Sequence, residues 1–397
     1  MTKHKVQVSD RAFQIGANVE RFVREVVIPF ENDPRRDHHG APTDELVMEM
    51  RELARAAGVL TPHIRPDGSH FNQRETAVIL IKSGLTPLGM LACNTQAPDE
   101  GNMHMLERIA THEQKERFLK PLASGVMRSS FFMTEPDGGS GSDPEMLKTE
   151  AVEDGDHWVI NGRKWFITGA EGAGFGIVMA RTGGHHATMF LVPLPNPGIV
   201  LERVMHTVDH TMPGGHGVLS LKNVRVPKEM VLGAPHEGFK YAQVRLAPAR
   251  LTHCMRWWGA AQRAHHIATE YACRRQAFGK TLIDHEGVGF ALARNEVDLK
   301  QTQLMIDYVA WTLDQGSRAS TDSSMAKYTC GETLFQIVDR CVQVLGGSGI
   351  VDETPVSKIW REIRGFRVYD GPSEVHLYSL ARRLKRKAAT ATSASPT

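Results

Sequence analysis

Hydrophobic side chains recur at helical spacing from about residue 9 to residue 128, fall into short alternating runs from Met127 to about Pro235, and return to helical spacing from Glu237. In the first block, Thr111-His112-Glu113-Gln114 is a capping box leading into Phe118, Leu119 and Leu122, and Gly58 and Gly125 are helix stops. In the second, residues 158–168 carry Asn161-Gly162 at their centre, which predicts two strands around a tight turn. Further strands are expected at 176–181, 188–192 and 217–226. The third block predicts helices over 250–275, 290–312 and 321–345, with Pro248 ending or kinking the first segment. Thr354-Pro355 starts another helix, which runs through Trp360 and Ile363 until Gly365 interrupts it. Ser373 is expected to cap the last helix, built on Val375, Leu377, Leu380 and Leu384.

The expected class is therefore α+β: an N-terminal α-helical domain (1–128), a middle antiparallel β domain (129–236), a C-terminal helical bundle (237–388) and a disordered tail of Ala, Thr, Ser and Pro (389–397). At 397 residues and 41% hydrophobic, the chain can bury a large core. A net charge of +2 gives no nucleic-acid or membrane footprint apart from the basic helix end at 382–387. Cys93, Cys254, Cys273, Cys330 and Cys341 are widely spread and lack metal spacing, so free, buried thiols in a reducing cytoplasm are expected. The opening residues are polar and no apolar run approaches membrane-spanning length, so neither a signal peptide nor a membrane span is expected.

Candidate chemistry centres on residues 365–376, Gly-Phe-Arg-Val-Tyr-Asp-Gly-Pro-Ser-Glu-Val-His, which put Asp370 on a turn between two helices. A carboxylate there is either a turn residue bonding its own backbone or a base. No G-x-G-x-x-G follows a strand, so the Rossmann fingerprint is missing, and the glycine-rich runs 138–141 and 346–349 lack its spacing. His206, His210 and His216 flank Pro213-Gly-Gly on strand-loop sequence and are read as loop residues near the substrate pocket rather than a metal site.

Four stretches occur in a telling order: Met133-Thr-Glu-Pro136 with its Gly/Ser loop to Asp143; Trp165-Phe-Ile-Thr168; Arg274-Arg-Gln-Ala-Phe-Gly279; and Gln343-Val-Leu-Gly-Gly-Ser-Gly349 followed by Tyr369-Asp-Gly. Together they resemble the acyl-CoA dehydrogenase family over nearly the whole chain. The phrases at 97–103, 246–250 and 370–376 are most similar to the branch fused in animals behind a phosphotransferase-like kinase domain. The resemblance implies the family's fold, with a barrel-like β domain and a C-terminal four-helix bundle. It also implies FAD, an acyl-CoA substrate, an electron-transfer flavoprotein as partner, and a homodimer or homotetramer.

By that resemblance Phe131, Met133, Thr134, Phe166 and Thr168 line the flavin, and Ser140 or Ser142 meets a flavin or substrate phosphate. Arg275 and Phe278, on a helix projected to a neighbouring subunit, together with Glu286, Gln343 and Gly347, serve the adenine and diphosphate end. Pro372 and Glu374 complete the cofactor contacts, while Arg250, Tyr369 and Gly371 join Ser140 on the substrate. Asp370 becomes the base. In some relatives the base precedes the residue matching Arg250, but here that position is Ala249, which takes no proton. Asp replaces the family's commoner Glu, withdrawing the carboxylate by about 1 Å, an offset that can cost on the order of a hundredfold in rate. A flavin oxidase of the same fold, acting on acyl-CoA or a nitroalkane, and a DNA-binding relative remain alternatives, separable by peroxide production and a salt-dependent gel shift.

Overall fold

Short polar residues start several of the N-terminal helices. The computed structural model describes residues 8–65 and 68–393. Before the first strand come α1 (Asp10–Phe22), α2 (Asp44–Ala56), α3 (Gln73–Ser83), α4 (Pro87–Ala92), α5 (Asp99–Ile109), α6 (His112–Gln114) and α7 (Lys120–Ala123). Thr43 caps α2 through the Leu46 N–H, and Asn72 and Glu75 form a reciprocal box on α3. The Thr111–Gln114 box forms as expected, and Gly58 and Gly125 follow helix ends at positive φ.

The described residues divide into two compact units, those within 14–71 and 87–249 and those within 1–13, 72–86 and 250–397. These units group the segments differently from the three domains expected along the sequence, because α3 joins the C-terminal helices.

In the first unit the sheet contains β1 (Ser129–Phe132), β2 (Glu150–Asp154), β3 (His157–Thr168), β4 (Phe175–Arg181), β5 (Ala187–Pro193), β6 (Ile199–Met205) and β7 (His216–Pro227), in the order β1-β4-β2-β3-β7-β6 with β5 on β4. The expected antiparallel sheet is in fact mixed, since β4 pairs in parallel with β1 and with the start of β2. The predicted Asn161-Gly162 turn does not form. The hairpin turns instead at Gly155-Asp156, and Asn161-Gly162 lies inside β3, where its pairing with β7 shifts register. Asn161 there accepts the Asn223 N–H at 2.8 Å, and a Cβ on Gly162 would sit 2.4 Å from Thr149 Oγ1. The glycine serves close approach rather than a turn. Phe132, Trp158, Ile160, Val178, Phe190 and Leu219 form one core of this unit, and a second joins Phe118 and Leu122 to Phe175, Ile177 and Met189.

The second unit joins α3 to residues 250–274 of α8 (Gly238–Arg274), α9 (Glu286–Asp314), α10 (Ser320–Leu345), α11 (Pro355–Phe366) and α12 (Ser373–Ser393); α3 packs on α9, and α10 on α9, α11 and α12. A Cβ on Gly259 would lie 2.1 Å from Ile81 O, and one on Gly84 the same distance from Arg256 O, so paired glycines let α3 and α8 touch. Asp314, at the end of α9, accepts the Gln73 and Arg74 N–H groups at 2.7 and 3.1 Å and so caps α3.

Several expectations are corrected here. Pro248 does not end its helix but lies inside α8. Gly365 is helical, and α11 ends one residue later. The Ser373 hydroxyl bonds Glu332, while Pro372 O accepts the Val375 N–H at 2.9 Å and closes the start of α12. That helix runs to Ser393, through the predicted tail, because its alanines favour helix. The polar opening residues 1–7 and the tail residues 394–397 lie outside the described residues. Cys273 is exposed, whereas the other cysteines are buried.

Candidate active site

Phe131 ends an internal chain of polar contacts in the β-containing unit. Asp99 Oδ1 accepts from Ser129 N and Oγ at 2.8 and 2.7 Å, Asn102 donates to Ser129 Oγ at 2.9 Å, and Arg245 Nε donates to Asn102 Oδ1 at 2.9 Å. The Arg245 guanidinium then lies 4.4 Å from the centre of the Phe131 ring. The phrase at 97–103, read above only as a branch signature, thus fixes the residue at the end of β1.

The loop after β1 is held from beneath by the buried pair Glu135–Lys164, at 2.8 Å. Glu135 also accepts the Lys148 and Thr149 N–H groups at 2.6 and 2.9 Å, and Lys164 donates to Met179 O at 2.8 Å. Burial pushes the Glu135 carboxyl upward, but Lys164 and these donors outweigh it and hold it below its ordinary value. Burial lowers Lys164 to about 8, against the pull of Glu135. The structure separates the two candidate serines: Ser140 is buried and gives its hydroxyl to Met133 O at 2.8 Å, while Ser142 is exposed. The Ser140 hydroxyl proton is thus engaged within the loop, while that of Ser142 faces outward.

Met133 and Thr134 are half-buried, and Thr134 O accepts the Trp165 N–H at 3.0 Å, tying the loop to β3. A register shift between Lys164 and Ile167 puts Phe166 at φ 51° and leaves it 49% exposed. The bulge thus re-aims an aromatic side chain outward. Two residues on, Thr168 Oγ1 lies 3.0 Å from His216 Nδ1, whose Nε2 lies 2.7 Å from Asp209 Oδ2. His216 and Asp209 also line a small surface pocket with His39, His206 and His210.

In the helical unit, Asp370 occupies the turn between α11 and α12 at φ 54°, with Gly371 at φ 97°. Asp tolerates this left-handed region better than most side chains. Arg250 Nε donates to the backbone carbonyl of Asp370 at 3.1 Å, so it holds the turn itself. Lys327 Nζ donates to Phe366 O at 2.6 Å and Gly371 O at 3.3 Å, clamping the turn at both ends. His253 Nε2 lies 3.2 Å from Asp370 Oδ2, and Trp257 Nε1 donates to Tyr369 Oη at 2.5 Å. Burial lowers Lys327 to about 8 and His253 to about 4; Arg256 also opposes charge on His253. Pro372 and Glu374 follow on the same turn and the start of α12, with Glu374 exposed.

The residues expected at the diphosphate end come from the hairpin after α8 and from the helices around it. Arg275 and Phe278 lie not on a helix but on a hairpin just past α8, β8 (Gln276–Ala277) and β9 (Lys280–Thr281), with Phe278-Gly279 at the tip and both at positive φ. Phe278 is 96% exposed. Glu286 opens α9, and Gln343 and Gly347 lie exposed around the end of α10. Nothing in the chain crowds a Cβ at Gly347, while at Gly349 it would meet Val342 O at 2.3 Å.

Three family models, described as acyl-CoA dehydrogenase N-terminal, middle and C-terminal domains, match residues 9–126, 130–224 and 236–385. A probable acyl-CoA dehydrogenase of Mycobacterium tuberculosis, FadE2, is 33% identical over 96% of this chain and 98% of its own length. The chain belongs to the acyl-CoA dehydrogenase family. Acyl-CoA dehydrogenase family member 11 of Gallus gallus is also 33% identical, over 94% of this chain but only 50% of its own length. Among solved structures, a putative acyl-CoA dehydrogenase from Mycobacterium abscessus matches with a TM-score of 0.88 and 34% identity, over 96% of this chain and 100% of that one. A glutaryl-CoA dehydrogenase from Mycobacterium smegmatis in complex with FADH2 matches with a TM-score of 0.84 and 25% identity, over 96% of each.

Against that family background, the residues that sequence reasoning missed are His253, Trp257 and Lys327. A signal existed for two of them: Arg250, His253 and Trp257 recur at i, i+3 and i+7, one face of α8. Lys327 looks like any helix lysine until its burial is seen.

Proposed function

We propose that this acyl-CoA dehydrogenase family member binds FAD and introduces an α,β double bond into an acyl-CoA thioester, giving the trans-2-enoyl-CoA, with Asp370 as the base. The observation that carries this reading is the turn itself: a carboxylate only 17% exposed, braced by Arg250 and Lys327 and faced by a buried imidazole. Alanine at 249 leaves no rival carboxylate at the other position that relatives use.

The residues present fit FAD. An exposed aromatic ring stands on a bulge at Phe166, an uncombined hydroxyl is presented at Ser142, and an exposed cation and aromatic lie together at Arg275 and Phe278. Phe131, Met133, Thr134, Phe166 and Thr168 would hold the ring system, Ser142 a phosphate, and Arg275, Phe278, Glu286, Gln343, Gly347, Pro372 and Glu374 the remainder. Bound FAD supplies the acceptor for the hydride that leaves the substrate β carbon. Asp370 takes the α proton on a carboxylate oxygen. Its backbone N–H is assigned, by resemblance, to the thioester oxygen where negative charge develops. Arg250, Tyr369 and Gly371 shape the turn that meets the thioester.

We further assign an electron-transfer flavoprotein as the acceptor partner and a homodimer or homotetramer as the working form, since an almost wholly exposed Phe278 suits burial against another copy. Free cysteines suit a reducing cytoplasm. Anaerobic mixing of the yellow protein with a panel of acyl-CoAs tests the whole reading: bleaching is expected with at least one thioester, and Asp370→Asn should keep FAD and acyl-CoA binding but not bleach. Full bleaching by Asp370→Asn would remove the assignment of the base. Peroxide formed at the turnover rate would move the protein to the oxidases.

A further inference from the structure

His104 and Glu107 stand one turn apart on α5, and His70 pairs across a short bridge with Ile64, bringing its ring against them. One ligand atom from each of the three lies within 4.8 Å of the others. His70 Nδ1 is 3.8 Å from Glu107 Oε2, and the His70 and His104 rings meet edge-on with centroids 5.2 Å apart. Both ring nitrogens of His70 are buried without a hydrogen-bond partner. A neutral imidazole has one N–H and one lone pair, and burying both unused is unfavourable. His104 is 9% exposed, so its ring faces the interior beside His70.

We propose that His70, His104 and Glu107 form a binding site for a divalent transition metal of the Zn²⁺ class. Two imidazole nitrogens and one carboxylate oxygen suit Zn²⁺ or Co²⁺ rather than Mg²⁺ or Ca²⁺, which favour all-oxygen sets. Bonds of about 2.0–2.1 Å put tetrahedral ligand atoms about 3.3 Å apart, so atoms already within 4.8 Å of one another need to close by only about 1.5 Å at most. Glu100, one turn before His104, adds a second carboxylate to the local field, while Arg108, 3.1 Å from Glu107 Oε2, competes for the ligand oxygen. Three ligands leave a coordination position for water or an incoming donor, and His63 backs the His70 ring with centroids 5.8 Å apart. The other cluster of this kind among the described residues, His38, His39 and Glu171, is mostly exposed.

The test is titration of the full-length, chelator-treated protein with Co²⁺ alone, following its visible bands to the red of flavin absorption, with Zn²⁺ competition by calorimetry. One Co²⁺ per chain with the intense spectrum of a tetrahedral site is expected. His104→Gln and Glu107→Gln should each weaken binding at least about tenfold, since even outer partners of metal ligands cost that much. If His104→Gln fails to fold, Glu107→Gln at its partly exposed position decides alone. No Co²⁺ uptake by the parent, unchanged affinity in Glu107→Gln, or uptake abolished by His38→Ala instead would overturn the site.

Discussion

The imidazole of His253 meets the Asp370 carboxylate at 3.2 Å, and a guanidinium behind it decides which nitrogen carries the proton. Arg256 Nη2 lies 3.1 Å from His253 Nδ1, and a guanidinium can only donate, so Nδ1 accepts. The proton of the neutral ring is therefore on Nε2, the edge turned to Asp370. His253 thus acts as a positioning residue for the proposed base. His253→Leu should lower kcat on the order of tenfold, the scale of about 1.4 kcal/mol for one lost polar contact to the carboxylate. It should also raise the lower limb of the pH–rate profile, because the carboxylate loses the N–H edge 3.2 Å away. An unchanged profile in steady-state assays would show that the contact is structural only.

The same burial makes stability depend on pH. His253, facing Arg256, Lys327 and Asp370, and His376, facing Arg250 and Lys327, are each held at about 4 against an ordinary 6.5. With the folded value depressed, the unfolded chain binds more protons between those two values, so stability is full above pH 6.5 and falls as pH drops toward 4. Thermal melts across that window should show a falling Tm, with a shallower fall in His376→Asn. A parallel curve for the variant would exclude His376 as a source of the slope.

Helix–β–helix order could be read from hydrophobic period alone, because α9 and α10 keep long apolar faces and β4 and β5 are continuous buried runs. Asn161-Gly162 misled because a dipeptide reports local preference, while the approach of Thr149 that demands a glycine is a tertiary fact. The Asp370 turn was legible from Asp-Gly-Pro, but its supports were not, since Lys327 and His253 come from helices distant in sequence. Likewise His70 and His104 come together only through folding, so no spacing rule reveals them.

Glu135 and Lys164 make a pair in which each charge depends on the other. Lys164→Met leaves the Glu135 charge buried with only backbone N–H donors, a loss of about 3–5 kcal/mol for a broken buried pair. Chemical denaturation should show it, accompanied by weaker flavin retention as the loop at 133–149 loosens. Glu135→Gln combined with Lys164→Met should recover much of the loss. A double variant as unstable as the sum of the single ones would mean that the two side chains act independently.

Lys327 offers the sharpest separation between holding the turn and merely filling space. Its ammonium reaches Phe366 O and Gly371 O, the carbonyls on either side of Asp370, while its shaft lies against aromatic rings, 4.6 Å from the Phe366 centroid. Lys327→Met keeps most of the shaft and removes the donors, leaving two carbonyls without this partner at a cost of about 1–3 kcal/mol. If the clamp sets the position of Asp370, kcat should drop by on the order of a hundredfold, the scale expected when a reacting group is displaced by about 1 Å. FAD content should fall far less than kcat, because the residues proposed to hold the ring lie in the other compact unit and only Pro372 and Glu374 share the clamped turn. Lys327→Arg, with donors but a bulkier head, should restore stability more than rate. A Lys327→Met enzyme that is less stable yet fully active at low temperature would show that Arg250 alone holds the turn.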